Sequence, residues 1–398
     1  MKRLAALGCS VVLVLAACSS SSSSPNSSDD GGPGSGSGGG SGSGSGGGTG
    51  SGSGGGTGSG SGGGTGSGSG GGTGSGSGGG NHDAGTGGKD GGSSSGGSPD
   101  ASVGSSGSVP VIGGCNILPA DNAWNTRVDD TTKFPVHPNA ATYSKSMAPS
   151  TGLHPDWGDW STNHYGIPWA IVPSTQATVP IAFTDSANES DPGPYPIPAG
   201  AKIEGGGPGT GDSHVLVLQS GSCEIFELYN STYTNPGWSA SSGAKFNLAS
   251  DALRTDGWTS ADAAGLPILP GLVKVSEVTA GKIEHAIRLT VGSSQQAYIH
   301  PATHAAGSSD TSLPPMGLRL RLKASVDTSK FTGASLVVVT ALKQYGVIVA
   351  DNGSDWYISG DSDDAWSPLM DGLVSQLSQI KGTDFEAVQT GTISTAGL

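Results

Sequence analysis

The sequence predicts a mainly β fold with a β-sandwich or jelly-roll-like core, long loops and a few peripheral helices. Three observations within residues 110–398 predict it. Gly, Pro and other turn residues recur about every 8 to 15 residues, short apolar runs lie between them, and only two longer segments have apolar residues at helical spacing. Short strands separated by frequent turns are typical of sandwiches and related all-β architectures.

The predicted strands are short runs rich in apolar and β-branched residues, bounded by turn signals. They are 179–184, 214–219, 223–229, 282–291, 296–300, 317–323, 346–351 and 356–359. A helix is predicted over 331–345, ending at Gly346. A second is predicted over 368–380, with Ser367 as N-cap and Pro368 at the first helical position. A short helical turn is expected at 259–264.

The second and third predicted strands form a hairpin around Ser220-Gly221. A two- or four-residue loop there sets one register, in which His214 faces Glu227 and Asp212 faces Tyr229. Both faces of the pair carry apolar residues. The hairpin is therefore expected to lie inside the protein, with a polar cluster at one end.

This polar cluster is the first candidate for catalysis. A carboxylate beside a His in a half-buried site is a general acid/base arrangement, and a Tyr adds a phenol. His285 lies on the inward face of its predicted strand, and Glu204 precedes three glycines, where a substrate could approach the backbone closely. The candidate catalytic residues are therefore Glu227 and His214, assisted by Glu204, Asp212, Tyr229 or His285. The alternative for the His–Glu pair and for His285 is a purely structural role in the core.

Eight Trp residues are numerous for a domain of this size, and several lie in loops next to Asp or Asn. Aromatic ring faces with neighbouring carboxylates and amides suit carbohydrate recognition. The predicted substrate-binding residues are Trp157, Trp160, Glu189, Asp191 and Tyr195. Glu189 and Asp191 could also bind Ca²⁺; no other cofactor and no metal site is expected. At least half of the Trp residues are expected to fill the core instead.

The charge balance argues against one class of partner. The chain has a formal net charge of −14, and the part from residue 110 onward is near −12, because three basic and five acidic residues precede it. Binding to nucleic acid needs a basic surface for the phosphates. A nucleic-acid partner is therefore not expected.

The N-terminus has the features of an export signal. Lys2 and Arg3 precede an apolar run over 4–15, which ends in Leu15-Ala16-Ala17-Cys18. This segment resembles the lipobox of bacterial lipoproteins. The resemblance implies that residues 1–17 are a signal peptide and that Cys18 is lipidated, which ties the protein to a membrane. With no Asp next to Cys18, it also implies the outer membrane or cell surface.

Residues 18–109 are predicted to be a disordered Ser/Gly-rich linker, since a repeat of Ser, Gly and Thr has no apolar residue to bury. Residues 110–398 then form a single globular β-rich domain. Outside the signal peptide and Cys18, the cysteines are Cys115 and Cys223. In an oxidising compartment they are expected to form a disulfide; the alternative is two separate buried thiols.

Several longer motifs of the domain can be compared with known sequences. They are DNAWN (121–125), LHPDWG (153–158), ESDPGPYPIP (189–198), GWTSADAAGLPILPGLV (257–273), EHAIRLTV (284–291), PPMGLRLRLK (314–323) and YGVIVADNGSDWYISG (345–360). From Cys115 to about Val388 the chain resembles a family of secreted proteins of soil bacteria. The resemblance implies no established activity, so no residue role is carried over from it.

Together these features predict a membrane-anchored extracytoplasmic lipoprotein that displays a polysaccharide-cleaving domain, either a hydrolase or a lyase. The alternatives are a non-catalytic carbohydrate- or surface-binding module and a structural envelope protein. An enzyme requires carboxylates, or a carboxylate with His or Tyr, that converge at one site. A binding module requires exposed aromatic rings without such convergence.

Overall fold

The computed structural model describes residues 109–398. The predicted signal peptide, the lipidation site Cys18 and nearly all of the linker lie outside the described residues. Within them, every helix is too short or too polar to cross a lipid bilayer.

The described chain is mainly β, as the sequence predicts. Its strands are β1 (Val111–Ile112), β2 (Cys115–Asn116), β3 (His154–Gly158), β4 (Trp169–Val172), β5 (Ile181–Phe183), β6 (Val215–Gln219), β7 (Glu224–Tyr229), β8 (Thr232–Tyr233), β9 (Trp238–Ala240), β10 (Ser242–Asn247), β11 (Ile287–Val291), β12 (Arg319–Leu322), β13 (Val347–Asn352), β14 (Tyr357–Ser362) and β15 (Phe385–Val388). Its α-helices are α1 (Ala140–Ser146), α2 (Val275–Thr279), α3 (Gly333–Gln344) and α4 (Met370–Leu377).

The strands form two main sheets and two small ones. The larger main sheet has the order β15-β12-β13-β11-β14-β3, and the smaller has the order β10-β7-β6-β4. A three-stranded sheet has the order β5-β9-β8, and β1 pairs with β2. Four neighbouring pairs are parallel: β11 with β13, β14 with β3, β4 with β6 and β5 with β9. No local sequence pattern indicates these parallel pairs.

The four-stranded sheet is buried on both faces, as expected for an inner hairpin. Leu216 and Ile225 belong to a large core shared with the six-stranded sheet and α3. Val217 and Phe226 belong to a smaller core with Trp238 of the three-stranded sheet. The layers therefore stack as in a sandwich, with β6 and β7 in the middle.

The register of the β6–β7 hairpin differs from the predicted one by two residues. Leu216 pairs with Glu227, and the loop holds four residues between Gln219 and Glu224. Cys223 leaves the ladder because its backbone adopts a left-handed conformation with φ of 53°. A shift of two keeps every side chain on its predicted face. His214 therefore lies beside Tyr229, with ring centroids 5.6 Å apart, instead of facing Glu227.

Two other predicted elements are irregular. Residues 296–300 form only isolated bridges through Tyr298, and 259–264 is a loop without helical structure. In that loop the Ser260 hydroxyl accepts the backbone N–H of Asp262 and donates to the carbonyl of Leu266. These local bonds take the place of helical ones.

Cys115 and Cys223 form the expected disulfide, across a sequence separation of 108 residues. It ties the start of the domain to the turn of the β6–β7 hairpin. In the chain-entropy model, closing a loop of this size stabilises the fold by about 4.7 kcal/mol.

Candidate functional site

Charged side chains gather where the start of β6 meets the six-stranded sheet. We call this set the acidic cluster: Asp156, Glu204, Asp212, His214, Asp262, Arg288 and Asp351. Asp212 is exposed, and the side chains of Glu204 and Asp351 are 19% and 21% exposed. His214, Asp262 and Arg288 are buried beneath them. Solvent therefore reaches the carboxylates but not the groups that hold them.

Glu204 and His214 form a close pair. Glu204 begins a 3-10 turn, Glu204–Gly206, and its backbone N–H donates to the carbonyl of His214. The turn requires glycine at Gly205, where φ is 73° and a Cβ atom would lie 2.5 Å from the carbonyl oxygen of Thr210. The sequence thus folds the Glu204 carboxylate back onto the imidazole, 2.6 Å from Nδ1.

His214 is held in its protonated form. Nδ1 faces the Glu204 carboxylate, and Nε2 lies 3.0 Å from the carbonyl oxygen of Ala261. Both nitrogens therefore face acceptors, which only the imidazolium can satisfy. Burial lowers the pKa of His214, but the charge and hydrogen bond of Glu204 outweigh burial and raise the pKa to about 9.

Arg288 on β11 connects the buried part of the cluster. Its guanidinium donates to Asp262 at 2.8 Å, to Asp351 at 2.7 Å and to the hydroxyl of Ser359 at 2.8 Å. Two carboxylates thus share one guanidinium. Burial raises the pKa of Asp351, and the nearby Asp262 adds to that effect against the attraction of Arg288.

Asp156 on β3 adds a carboxyl group that favours its protonated form. Asp156 lies opposite Ser359 in the parallel pairing of β3 with β14, and the hydroxyl of Tyr165 donates to it. Burial raises the pKa of Asp156, and the charge of Glu204 raises it further, against the hydrogen bond from Tyr165. Asp156 therefore keeps its proton to higher pH than an ordinary aspartate.

The structure brings four of the predicted catalytic residues together. Glu204, Asp212 and His214 offer ligand atoms within 4.8 Å of one another. Tyr229 lies beside them with its side chain turned to solvent and 36% exposed. Burial raises the pKa of this phenol, and the nearby carboxylate of Asp212 adds to the effect.

Glu227 does not join this set. It is 0% exposed, and its two carboxylate oxygens accept the backbone N–H groups of Ile268 and Leu269 at 2.9 Å. The two-residue shift in register places it opposite Leu216. Burial raises the pKa of Glu227 to about 7 against these hydrogen bonds. The assignment of Glu227 as the principal acid/base is therefore wrong for this conformation, because no substrate can touch it.

His285 is also removed from the acidic cluster. It is buried, with Nε2 3.2 Å from Glu277, which also lies 3.5 Å from the ammonium of Lys274. Burial would raise the pKa of Glu277, but Lys274 and His285 lower it to about 2. This ion-paired group supports the structural alternative for His285.

The predicted substrate-binding residues do not form one surface. Trp157 and Tyr195 are buried, so the expectation that they stack on a sugar is wrong. Trp160 is partly exposed, and the ammonium of Lys202 lies 4.5 Å from its ring centroid. The carboxylate of Glu189 accepts the N–H of Thr259.

Asp191 is paired with the guanidinium of Arg254 and accepts the N–H of Lys245. One oxygen of each carboxylate proposed for Ca²⁺ is thus engaged by donors.

Most of the Trp residues fill the interior, as expected for at least half of them. Five are fully buried: Trp124, Trp157, Trp238, Trp356 and Trp366. The partly exposed ones are Trp160, Trp169 and Trp258. No planar row of exposed rings is present among the described residues.

Glu204, Asp212 and His214 have the spacing of a metal site. Nδ1 of His214 faces the Glu204 carboxylate, and Nε2 lies beside the carbonyl oxygen of Ala261. A neutral imidazole that donates from Nε2 to Ala261 would leave Nδ1 free to bind a cation together with Glu204 and Asp212.

Sequence reasoning missed Asp156, Asp262, Arg288 and Asp351. With His285 on the inward face of its predicted strand, alternation turns Arg288 outward, but β11 lies between β13 and β14 and is buried on both faces. The sequence signal that could have identified Arg288 is its position as a charged residue inside an otherwise apolar strand. Asp156 lies in a short strand that contains Pro and Gly, which gave no strand signal.

No protein-family model, curated protein or solved structure matches the chain. The lipobox and the resemblance to secreted soil-bacterial proteins therefore stay predictions.

Proposed function

We propose that this protein is a lipid-anchored glycoside hydrolase of the cell envelope, with the acidic cluster as its active site. The observation that supports this most is that two carboxyl groups of the cluster lie in different surroundings. Burial raises the pKa of Asp156 above that of an ordinary aspartate, and Tyr165 donates to its carboxylate. Glu204 is held beside a protonated His214. Acid and base roles divide in this way in glycosidases.

The proposed step balances as a hydrolysis. The Asp156 carboxyl donates its proton to the glycosidic oxygen as the bond from that oxygen to the anomeric carbon breaks. A water attacks the anomeric carbon and gives its proton to the Glu204 carboxylate. The His214 imidazolium orients Glu204, and Tyr229 borders the site. One water is consumed and one new reducing end forms.

Hydrolysis fits the cluster better than a lyase reaction does. Polysaccharide lyases act on uronates, whose carboxylates need a cation to neutralise them. In the cluster five carboxyl groups accompany two cationic residues, and Arg288 is already engaged by Asp262 and Asp351. An anionic substrate would be repelled, so an uncharged glycan is the better ligand.

The N-terminal sequence supports the proposed location. The lipobox-like segment ending in Cys18 and the Ser/Gly-rich residues up to 109 suit a tether that lifts the domain off a membrane. The membrane is then reached through the lipid on Cys18, and the domain faces extracellular polysaccharide.

The test is to incubate the full-length protein with a panel of polysaccharides and to measure new reducing ends and unsaturated-uronate absorbance. We expect reducing ends from an uncharged glycan and no uronate signal. Glu204→Gln should lose about 10²- to 10⁴-fold in rate. Glu284→Gln, which makes the same change outside the cluster, should retain the wild-type rate. Equal rates for the wild type and Glu204→Gln would refute the assignment.

A non-catalytic carbohydrate-binding module is the second candidate. It is favoured by a separate groove with aromatic walls, described below. Specific binding to one glycan without any new reducing ends would select it. Neither cleavage nor binding across the panel would leave the structural envelope protein.

A further inference from the structure

A groove of about 360 Å³ opens at the other end of β7, next to the hairpin turn. We call it the aromatic groove. Its lining residues that carry the argument are Asn122, Asp191, Phe246, Asp251, Arg254 and Trp258. We infer that the aromatic groove binds one or two uncharged sugar units of a glycan, separately from the acidic cluster.

The rings of the groove are fixed by Arg254. Its guanidinium lies 5.7 Å from the ring centroid of Phe246 and 5.9 Å from that of Trp258. The guanidinium is held in turn by Asp191 and by the carbonyls of Glu189 and Thr259. Rings held in place lose little entropy on binding, and the apolar C–H face of a sugar packs on such rings.

The rim of the groove offers planar polar groups. The amide nitrogen of Asn122 donates to Asp251 at 2.7 Å, and the side chains of both residues are near the surface. Amide and carboxylate groups beside an aromatic wall are the partners that sugar hydroxyls need. The volume lies near the lower end of the range for small-ligand sites, which suits one or two sugar units.

The charge of the groove favours an uncharged sugar. Its lining includes three carboxylates, Asp191, Glu224 and Asp251, and two cations, Lys245 and Arg254. Arg254 is already neutralised by Asp191. A uronate or a sulfated sugar would therefore meet a net negative surface.

The groove and the acidic cluster are distinct sites. Glu224 at the first position of β7 lines the groove, and Tyr229 at the last position borders the cluster. Six residues of strand separate their ends by roughly 17 Å. A glycan chain held in the groove would therefore be anchored away from the proposed cleavage site.

The test is calorimetric titration of the full-length protein with short fragments of β-glucan, xylan, mannan and chitin, and with an oligogalacturonate as the charged control. Glu204→Gln is used as the background, so that cleavage does not interfere. We expect binding to an uncharged fragment, at least a tenfold loss of affinity in Trp258→Ala, and no binding of the oligogalacturonate. Trp169→Ala, which also removes a partly exposed Trp and lies outside the groove, should bind as the parent does.

Unchanged affinity in Trp258→Ala, or preference for the charged fragment, would overturn the inference, as would a lack of binding to every uncharged fragment. If Trp258→Ala does not fold, as judged by circular dichroism, Asp251→Ala decides in its place by the same criterion. The inference shares with the proposed function only the assumption of a glycan ligand. Trp258-dependent binding without any cleavage by the wild type would refute the hydrolase and leave the groove standing.

Discussion

The acidic cluster and the aromatic groove lie at opposite ends of the same strand and hold their charges differently. In the cluster, buried His214 and Arg288 hold several carboxylates, and burial, with a smaller contribution from neighbouring carboxylates, raises the pKa of Asp156 and Asp351. In the groove, the guanidinium of Arg254 forms an ion pair with Asp191 and lies next to the rings of Phe246 and Trp258. Carboxyl groups with shifted pKa values suit proton transfer, whereas aromatic rings held in a fixed position suit the binding of a ligand.

The largest expected effect is on catalysis and concerns Asp156. Asp156→Asn cannot donate a proton, and we expect the cleavage rate to fall about 10²- to 10⁴-fold. In the wild type, the rate should fall as pH rises through the elevated pKa of Asp156. Removing the Tyr165 hydrogen bond, which lowers that pKa, should move this alkaline limb to higher pH in Tyr165→Phe. A pH–rate profile that is the same in both proteins would argue against Asp156 as the acid.

Two arginine substitutions compare the stabilities of the regions directly. Arg288→Met leaves Asp262 and Asp351 without their cation in the interior, and it should lower the free energy of unfolding by about 3–5 kcal/mol. Arg254→Met leaves only one carboxylate, the partly exposed Asp191, without its cation. It should lower the free energy of unfolding by about 1–2 kcal/mol. Urea unfolding of the two variants checks this order. A larger loss for Arg254→Met would contradict the deeper burial of the Arg288–Asp262 ion pair as the source of the difference.

The disulfide lies at the groove end of the hairpin. Replacing Cys115 and Cys223 together with Ser should lower the free energy of unfolding by about 2–5 kcal/mol. Cys223 precedes Glu224, which lines the groove. We therefore expect the double variant to lose a larger fraction of its affinity for the uncharged fragment than of its cleavage rate. Denaturation with and without reducing agent tests the first expectation, since the wild type under reduction should approach the double variant.

Glu227 should make stability depend on pH although it takes no part in the chemistry. Its pKa rises from 4.5 to about 7 on folding. The folded state holds the Glu227 proton more tightly than the unfolded state does. This contribution to the free energy of unfolding is fully present below about pH 4.5 and is lost as the pH rises through 7. The difference in unfolding free energy between the wild type and Glu227→Gln should therefore shift against the wild type by about 3 kcal/mol between pH 4 and pH 8. Thermal unfolding across this range measures it, and a constant difference would contradict the burial of an ionisable carboxyl.

Local sequence patterns were enough to predict the inner hairpin and α3, because apolar residues on both strand faces and at helical spacing report burial. They were also enough to place Asp212, His214 and Tyr229 at one end of the hairpin, since a register error of two preserves the faces. The cause of that error is the left-handed Cys223, a backbone feature that residue type alone does not reveal.

Contacts between distant segments could not be predicted in the same way. Arg288 meets Asp351, 63 residues away, only after β11 and β13 pair in parallel. The residues that flank Trp157 and Tyr195 are typical of exposed loops, yet both side chains are buried in the cores of the sandwich. Burial of this kind depends on tertiary packing, which no periodicity in the local sequence encodes.

The most direct test of the division between the two sites is a parallel measurement on Glu204→Gln and Trp258→Ala with one uncharged glycan. Binding is measured by titration and cleavage by new reducing ends at saturating substrate. We predict that Glu204→Gln binds as the wild type does but does not cleave, and that Trp258→Ala cleaves at saturation but binds at least tenfold more weakly. Cleavage at the wild-type rate by Glu204→Gln, or equal affinity in both variants, would contradict the account.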